Sequence, residues 1–525
     1  MNYHPHARPI YVHEESRSIL LSVDDPFAFR SLLPKSMTLD DPNYNIAVKH
    51  TLKATRVLRN MGYDVPSPIR YQYKWTGKYP PWSHQIDMAE FWTLHRRGFN
   101  LSDPGCGKTG GALWAADYLM KIGAVKKCLI LAPLSTLDAV WKQDIFDVLM
   151  HRRAVVVHGD RAQRKKALAQ RSDFYIINHD GIKIKEIARL IKADPDIDLI
   201  IVDEGDEFRN HDTEKYKALA DLLRPDQRLW WQTGTPCPNE PPDAWAQARL
   251  VNPATVPRYF GAFKRETMMQ FTPFKWVPKK GAHQMAFDAL QPAIRFKKRD
   301  CIDLPEKVTT RRQAELTRDQ VLAYEEMKEE MEMELRGVTI TAVHAADKIL
   351  KLRQVLAGCV RDKETGEYVS IPHQPRVNTL MEAIAHATAK VVVIVPFKGI
   401  LKELAIQVGK TYSVGVLNGD VSAGQRKEIL YNFKNTLDPH VLLCHPKVMS
   451  HGLNLTEADT TIFYAPIHSN SQCQQVIERF DRAGQKNKMT IVRIGAHPLE
   501  WEIYKQTDVA TSTQMSILDL YKNFA

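Results

Sequence analysis

Apolar and polar positions along the chain follow three successive patterns. Near the N-terminus, Ser18 to Val23 alternates as a strand does, and Ile46 to Met61 carries apolar residues at helical spacing. Val65-Pro-Ser-Pro68 then breaks the pattern in the manner of a linker. From Tyr79 the text becomes strand–helix alternation. A helix is predicted from Ile86 to Arg97, and buried-type strands at Lys127–Pro133, Val155–Val157, Phe174–Asn178, Asp198–Val202 and Leu229–Gln232. Two helices, Leu316–Leu335 and Ala345–Leu356, lead into a second series at Lys390–Pro396, Ser413–Leu417, His440–Cys444, Thr460–Tyr464 and Met489–Ile494. Short, uninterrupted apolar runs of this kind belong to parallel sheets covered on both faces by helices. Their ligands gather beyond the carboxyl ends of the strands. The expected fold is therefore α/β, with a small N-terminal α+β accessory module over residues 1–75, a first lobe over 76–296, a second over 297–505 with a helical lead-in, and a tail over 506–525.

Composition narrows the class. With 525 residues the chain is too long for one core, and 44% hydrophobic with 25% charged residues is ordinary for a soluble globular protein. A formal charge of +11 makes polyanions natural partners. The seven cysteines stand singly, so neither a disulfide framework nor a structural zinc is signalled. The start, Met-Asn-Tyr-His-Pro-His, has no apolar leader, and no apolar run reaches membrane-spanning length. A cytoplasmic, reducing location and a monomeric protein without membrane contact are the expectation.

The candidate chemistry begins at Leu101-Ser-Asp-Pro-Gly105-Cys106-Gly107-Lys108-Thr109-Gly110-Gly111, a strand end, a small-residue loop and a helix start. Backbone N–H groups of such a loop close around phosphates, Lys108 adds a point charge, and the Thr109 hydroxyl can ligate Mg²⁺. Ser102 stands where the full P-loop pattern has a glycine. Asp203 and Glu204 end an apolar strand, where the first can hold Mg²⁺ and the second can orient and deprotonate a water. Gln85, about twenty residues before the loop, offers a paired donor and acceptor to an adenine edge, or simply caps its helix. The hydroxyls of Thr233 and Thr235 suit a relay, or a plain hydrogen-bonded turn. Arg479 and Arg482 are read on one helix face, placing two guanidinium groups together as arginine fingers are, against the plainer reading of a surface ion-pair helix. Two basic, aromatic stretches, Arg70–Trp75 and residues 240–300, either touch nucleic acid or pack internally.

The order of these stretches resembles the superfamily two helicases and, within them, the Swi/Snf-type DNA translocases, in particular short phage or bacterial members. Gln85 matches the nucleotide-sensing glutamine, and Asp103-Pro-Gly-Cys-Gly-Lys108-Thr109 resembles the family's P-loop. Pro133-Leu-Ser135 with Trp141 resembles the segment that grips the DNA backbone. Asp203-Glu204-Gly205-Asp206 stands for the Asp-Glu-Ala-His box, with Asp206 in place of its histidine. Thr233-Gly-Thr-Pro236 with Asn239, Leu352-Arg-Gln354, Gly452-Leu-Asn454-Leu-Thr456 and the arginine motif of Gln475, Arg479, Arg482 and Gln485 continue the likeness. It covers about residues 79–495. The resemblance implies two RecA-like lobes and an ATPase using ATP and Mg²⁺ that moves along or remodels duplex or branched DNA in preference to RNA. Lys108, Asp203, Glu204, Arg479 and Arg482 are its implied catalytic set, and Ser135, Thr233, Thr235, Gly452 and Asn454 its implied nucleic-acid and coupling contacts. A strand-separating helicase and a weakly catalytic, ATP-switched clamp are the rival readings. Cys106, in the crown of the loop, is expected to react with thiol modifiers unless nucleotide shields it.

Overall fold

The structure, a computed structural model, describes residues 10–508 apart from 239, 273–274, 302–304, 338–341, 363–364, 450–454, 468, 483–484 and 486. The chain divides into two compact units between Cys301 and Ile302.

The first unit opens with an antiparallel sheet of β1 (Ile10–His13), β2 (Ser18–Leu21), β3 (Met37–Thr38) and β4 (Ile46–Lys49), ordered β1-β2-β4-β3. Ile46 and Val48 face its core at a spacing of two, so the stretch to Met61 is not one helix. The period changes at Thr51, whose hydroxyl accepts from the Ala54 N–H and starts a helix over Leu52–Asn60. The chain after it is packed, not exposed. Ser67 N–H donates to Glu90 (2.8 Å), Arg70 pairs with Asp87 and Glu90, Tyr73 donates to Asp117 (2.6 Å), and Trp75 lies edge-on to Trp114. The Arg70–Trp75 run thus takes the packed-linker reading.

A seven-stranded, all-parallel sheet follows: β5 (Arg97–Asn100), β6 (Lys127–Ala132), β7 (Ala154–Val157), β8 (Phe174–Asn178), β9 (Ile197–Val202) and β10 (Arg228–Gln232), closed by β13 (Ala293–Ile294). Before β13 come a hairpin of β11 (Met268–Thr272) and β12 (Lys275–Pro278) and helices over Ala244–Val251, Phe260–Thr267 and Ala282–Ala289. Trp245, Phe263 and Phe287 of this insertion are buried in the core on one face of the sheet, which favours the reading that it packs internally. Successive strand residues serve opposite faces. Leu129, Leu131, Ile200 and Val202 lie in one core, Cys128, Ile130, Leu199 and Ile201 in the other. The order β13-β5-β10-β9-β6-β8-β7 makes the chain leave β5 and skip two places to β6. The carboxyl ends of β5, β10, β9 and β6 therefore stand side by side.

The second unit repeats the principle with six parallel strands: β14 (Lys307–Gln313), β17 (Lys390–Ile394), β18 (Val414–Leu417), β19 (Val441–Cys444), β20 (Ala458–Phe463) and β21 (Met489–Gly495), ordered β14-β21-β20-β17-β19-β18. A small hairpin, β15 (Cys359–Arg361) with β16 (Tyr368–Ser370), precedes β17. Val391 and Val393 belong to one core, Val392 and Ile394 to the other. Both units are doubly wound parallel sheets of the RecA-like type. Among the described residues no helix is long and apolar enough to cross a membrane.

Candidate functional site

The P-loop is held from beneath by the helix Ser83–Leu94. Gly105 and Gly107 take left-handed backbone (φ +88° and +70°), and Gly107 is the N-cap of the helix Lys108–Lys121. A Cβ on Gly107 would sit 2.2 Å from the Gln85 Nε2, so the glutamine packs where only glycine leaves room. The Gln85 carboxamide accepts from the Trp82 N–H (2.9 Å) and donates to the Gly107 carbonyl (3.1 Å). It caps its helix and ties that cap to the loop. His84, which sequence reasoning passed over, adds a bond between its Nε2 and the Cys106 carbonyl (3.0 Å). The Lys108 Nζ donates to the carbonyls of Ser102 (2.7 Å) and Asp103 (3.3 Å), inside the ring of the loop.

Ser102 is not a defective glycine. Its hydroxyl accepts from the Phe296 N–H (3.0 Å), and the Asp103 carboxylate takes the Lys298 N–H (3.0 Å) and the Arg295 guanidinium (3.3 Å). The segment after β13 thus fixes the loop's rear wall. Cys106 is fully buried with its thiol toward the Phe296 carbonyl, and burial pushes that thiol up to about 12. The expectation of a reactive cysteine is overturned: a neutral, enclosed thiol is a poor nucleophile.

Two strands away, β9 delivers Asp203 and Glu204. Glu204 is left-handed (φ +49°), one of two non-glycine residues so placed among those described, and such strain collects at functional sites. Burial and the neighbouring Glu204 charge raise Asp203 to about 7, opposed by a hydrogen bond from the Trp141 indole (2.9 Å) and by the charge of Lys108. Trp141 is wholly buried, so within the segment that resembles the backbone-gripping one it serves as a partner of the acidic box rather than as a surface residue. Ser135, in a short turn over Leu134–Thr136 past the end of β6, is exposed. Gly205 has its own reason. A Cβ there would lie 1.9 Å from the Trp231 Nε1, so this box, with tryptophan beneath it, takes glycine where the resembled motif has alanine.

Asp206 is nearly buried and accepts from the Thr233 hydroxyl (3.2 Å), which in turn accepts from the Thr235 N–H (3.0 Å). Burial, with the charges of Glu204 and Glu207, holds the Asp206 carboxyl well above its ordinary range, where it can itself donate. The box and the Thr-Gly-Thr-Pro turn are therefore one hydrogen-bonded chain. Gly234 allows the turn to close on the P-loop, since a Cβ would meet Pro104 at 2.7 Å.

Among the described residues no group of three His, Cys, Asp or Glu side chains could hold a metal ion. Thr109 and Asp203 suit Mg²⁺ nonetheless, an ion that takes one or two protein oxygens and completes its shell with phosphates and water. The glycine cradle suits the phosphates of ATP.

Residues 84–365 match the family described as SNF2-related domain, more than half of the chain. The chain belongs to the SNF2-related family. Residues 375–484 match a second family, the helicase conserved C-terminal domain, so this SNF2-related protein carries the paired domains of a helicase-like ATPase. It is similar to protein p41 of Acyrthosiphon pisum secondary endosymbiont phage 1 (26% identity, 71% of this chain and 83% of that protein). An uncharacterized ATP-dependent helicase of Mycoplasma genitalium is 23% identical over 76% of this chain and 38% of its own length. Transcription regulatory protein SNF2 of Saccharomyces cerevisiae is 23% identical over 78% and 26%. The chain thus spans well under half of these two cellular relatives. Among solved structures, the Sulfolobus solfataricus SWI2/SNF2 ATPase core in complex with dsDNA aligns over 84% of this chain and 96% of that one, with 21% identity and a TM-score of 0.42.

In the second unit the helix Asn470–Ile477 stops before the arginine motif. Arg479 and Arg482 lie in the turns after it and do not share a helix face as the spacing suggested. Phe480, just past the helix end, is buried in the core, and Gln485 donates to the Ala458 carbonyl (2.9 Å). Arg479 is buried, and the Arg482 Nε donates to the Glu478 carbonyl (2.9 Å). Gly452 and Asn454 lie outside the described residues. At the carboxyl ends of β17 and β19 a cavity of about 890 Å³ opens, lined by Lys351, Arg353, Arg361, Lys398, His445 and Lys447 among others.

Proposed function

We propose that this protein is an ATP-driven translocase on duplex or branched DNA. The P-loop from Gly105 to Gly110 binds the phosphates, with Lys108 moving from its two loop carbonyls to the nucleotide. Thr109 and Asp203 hold Mg²⁺, which when bound neutralises phosphate charge and draws electrons from the γ-phosphoryl group. Glu204 orients the attacking water and takes its proton. Gln85 reads the adenine edge, and Arg479 and Arg482 stabilise the γ-phosphoryl transition state as arginine fingers do. Exposed Ser135 and the basic pocket at the end of the second sheet are surfaces for the DNA backbone, a sequence-independent interaction suited to a protein that moves along its track.

One observation carries the reading: β5 and β9 flank β10 in parallel, so the P-loop that follows β5 and the acidic box that follows β9 leave the same edge of one sheet, two strands apart. The rival of a weakly catalytic clamp drew on the missing histidine of the box. Asp206 weakens that rival, because it keeps a hydrogen bond to Thr233 and so leaves the relay intact. The test is ATP turnover at stated salt with matched duplex, single-stranded and forked DNA and with RNA, using Lys108→Ala as the blank. Strong stimulation by duplex or forked DNA is expected. Equal stimulation by single strands or RNA would transfer the reading to a strand-separating helicase, and ATP-dependent binding without turnover to a clamp.

A further inference from the structure

The indole of Trp141 reaches the nucleotide site from the segment that resembles the backbone-gripping one. Its Nε1 donates to the Asp203 Oδ2 at 2.9 Å from a fully buried position. Between it and the exposed residues Leu134 and Ser135 the chain forms a π-helical turn, Leu137–Lys142, wedged between the short turn Leu134–Thr136 and the helix Gln143–Val148. Leu137 is buried as well, so the turn is pinned at both ends by apolar side chains. A π turn holds one residue more than the α turn it replaces, is the less stable of the two, and recurs at functional sites. Returning it to α geometry shifts the register by one residue, which swings a side chain around the helix axis by about 100°.

We infer that Trp141 is a positioning residue for Asp203, and that the π turn carrying it connects binding at Leu134–Ser135 with the carboxylate expected to hold Mg²⁺. A phosphate backbone pressed on Ser135 reaches the acidic box through six residues of chain and one hydrogen bond. Among the described residues the indole is the side-chain donor that the Asp203 carboxylate engages. The inference rests on the translocase reading for the identity of what presses on Ser135, and on the structure alone for the indole bond.

The test uses the full chain and begins with a readout other than turnover. A fluorescent ATP analogue is titrated against wild type and Trp141→Phe, once in Mg²⁺ and once in EDTA. A hydrogen bond to a charged group is worth roughly 1.5–3 kcal/mol, so the gain in affinity that Mg²⁺ confers should shrink about tenfold or more in the variant, with EDTA affinities equal. An equal Mg²⁺ gain in both proteins overturns the positioning role. Should Trp141→Phe fail to fold, amide hydrogen exchange on the wild type decides the connection. A 30-base-pair duplex should change protection across residues 137–142, and unchanged protection there, in protein whose turnover the duplex stimulates, overturns it. Absence of stimulation by any nucleic acid defeats the translocase reading and the connection together, and leaves the indole bond to stand or fall on the Mg²⁺ titration.

Discussion

The carboxyl edges of the two parallel sheets are built from the same strand–helix grammar and have been finished for different work. On the first, four of the polar groups around the loop and the box already bond one another or the backbone: Lys108 on loop carbonyls, Gln85 and His84 under the P-loop, Asp206 on Thr233. On the second, the strand ends open into a cavity where cations outnumber acids, with Lys447 past the end of β19 and Lys398, paired with Asp420 at 2.8 Å, past the end of β17. A closed network fixes donors where one small ligand must sit in one geometry. A cationic pocket needs only charge and room, which is what a repeating phosphate backbone asks. Under the proposed function, one sheet edge is specific in position and the other in charge.

The largest test of this contrast asks whether the second unit contributes chemistry as well as charge. Arg482→Ala is expected to lower ATP turnover by about a thousandfold or more, as loss of an arginine finger does, while DNA binding without nucleotide stays near wild type. Steady-state turnover beside a filter-binding assay separates the two. Turnover within threefold of wild type would confine the second unit to binding. In contrast, replacing both Lys398 and Lys447 by alanine should spare basal turnover and weaken DNA binding uniformly across sequences. It should also flatten the dependence of log affinity on log salt, by about one for each phosphate that the variant no longer neutralises. A slope unchanged from wild type places the backbone elsewhere.

How far this contrast is legible in the sequence differs between the edges. Parallel strands announce themselves as continuous apolar runs, and the P-loop and acidic box are contiguous motifs whose spacing is their chemistry. Both are readable. A helix over Arg479–Arg482 is suggested by their spacing, whereas the helix ends at Ile477 and Phe480 just beyond it is buried. At Ile46–Met61 a strand and a helix share apolar residues that fit either period over a few positions, and only the Thr51 cap marks the change. The burial of Cys106 and of Trp141 is illegible in the sequence for a common reason. Burial depends on what the rest of the chain lays over a residue: the Phe296 segment over Cys106, and for Trp141 the fold that brings β9 and its Asp203 alongside. Neither neighbour is near in sequence. His84 carries no signal beyond standing beside Gln85.

A third test concerns the frame beneath the first edge. Asp117 is fully buried on the helix that begins at Lys108. Burial alone would raise its carboxyl, but hydrogen bonds from Lys121, Tyr73, His151 and Arg152 outweigh it and hold the group at about 2. A carboxyl depressed on folding contributes stability that is complete above its unfolded value, near 3.9, and is lost as pH falls through its folded value. The contribution is about 2–3 kcal/mol above pH 5, declining between pH 4 and 2. Asp117→Asn should therefore lower the unfolding midpoint at pH 7 and narrow its gap from wild type at pH 3, with denaturant melts at both values as the measurement. A gap independent of pH would show that the aspartate acts through packing alone.

The smallest effect belongs to the relay, and it bears most directly on what distinguishes a closed network from an open pocket. Thr233→Val keeps the side chain's shape and removes the hydroxyl that joins Asp206 to the Thr235 N–H. Leaving a buried acceptor unsatisfied costs about 1–3 kcal/mol. If the chain Asp206–Thr233–Thr235 serves only to hold the turn, that cost appears in stability and nowhere else. If it transmits between the nucleotide site and the DNA surface, basal turnover persists while the factor by which duplex DNA stimulates it falls, by about fivefold to tenfold. Measuring basal and stimulated turnover on one preparation separates the two, because a loss of folded protein lowers both rates in proportion and leaves their ratio unchanged.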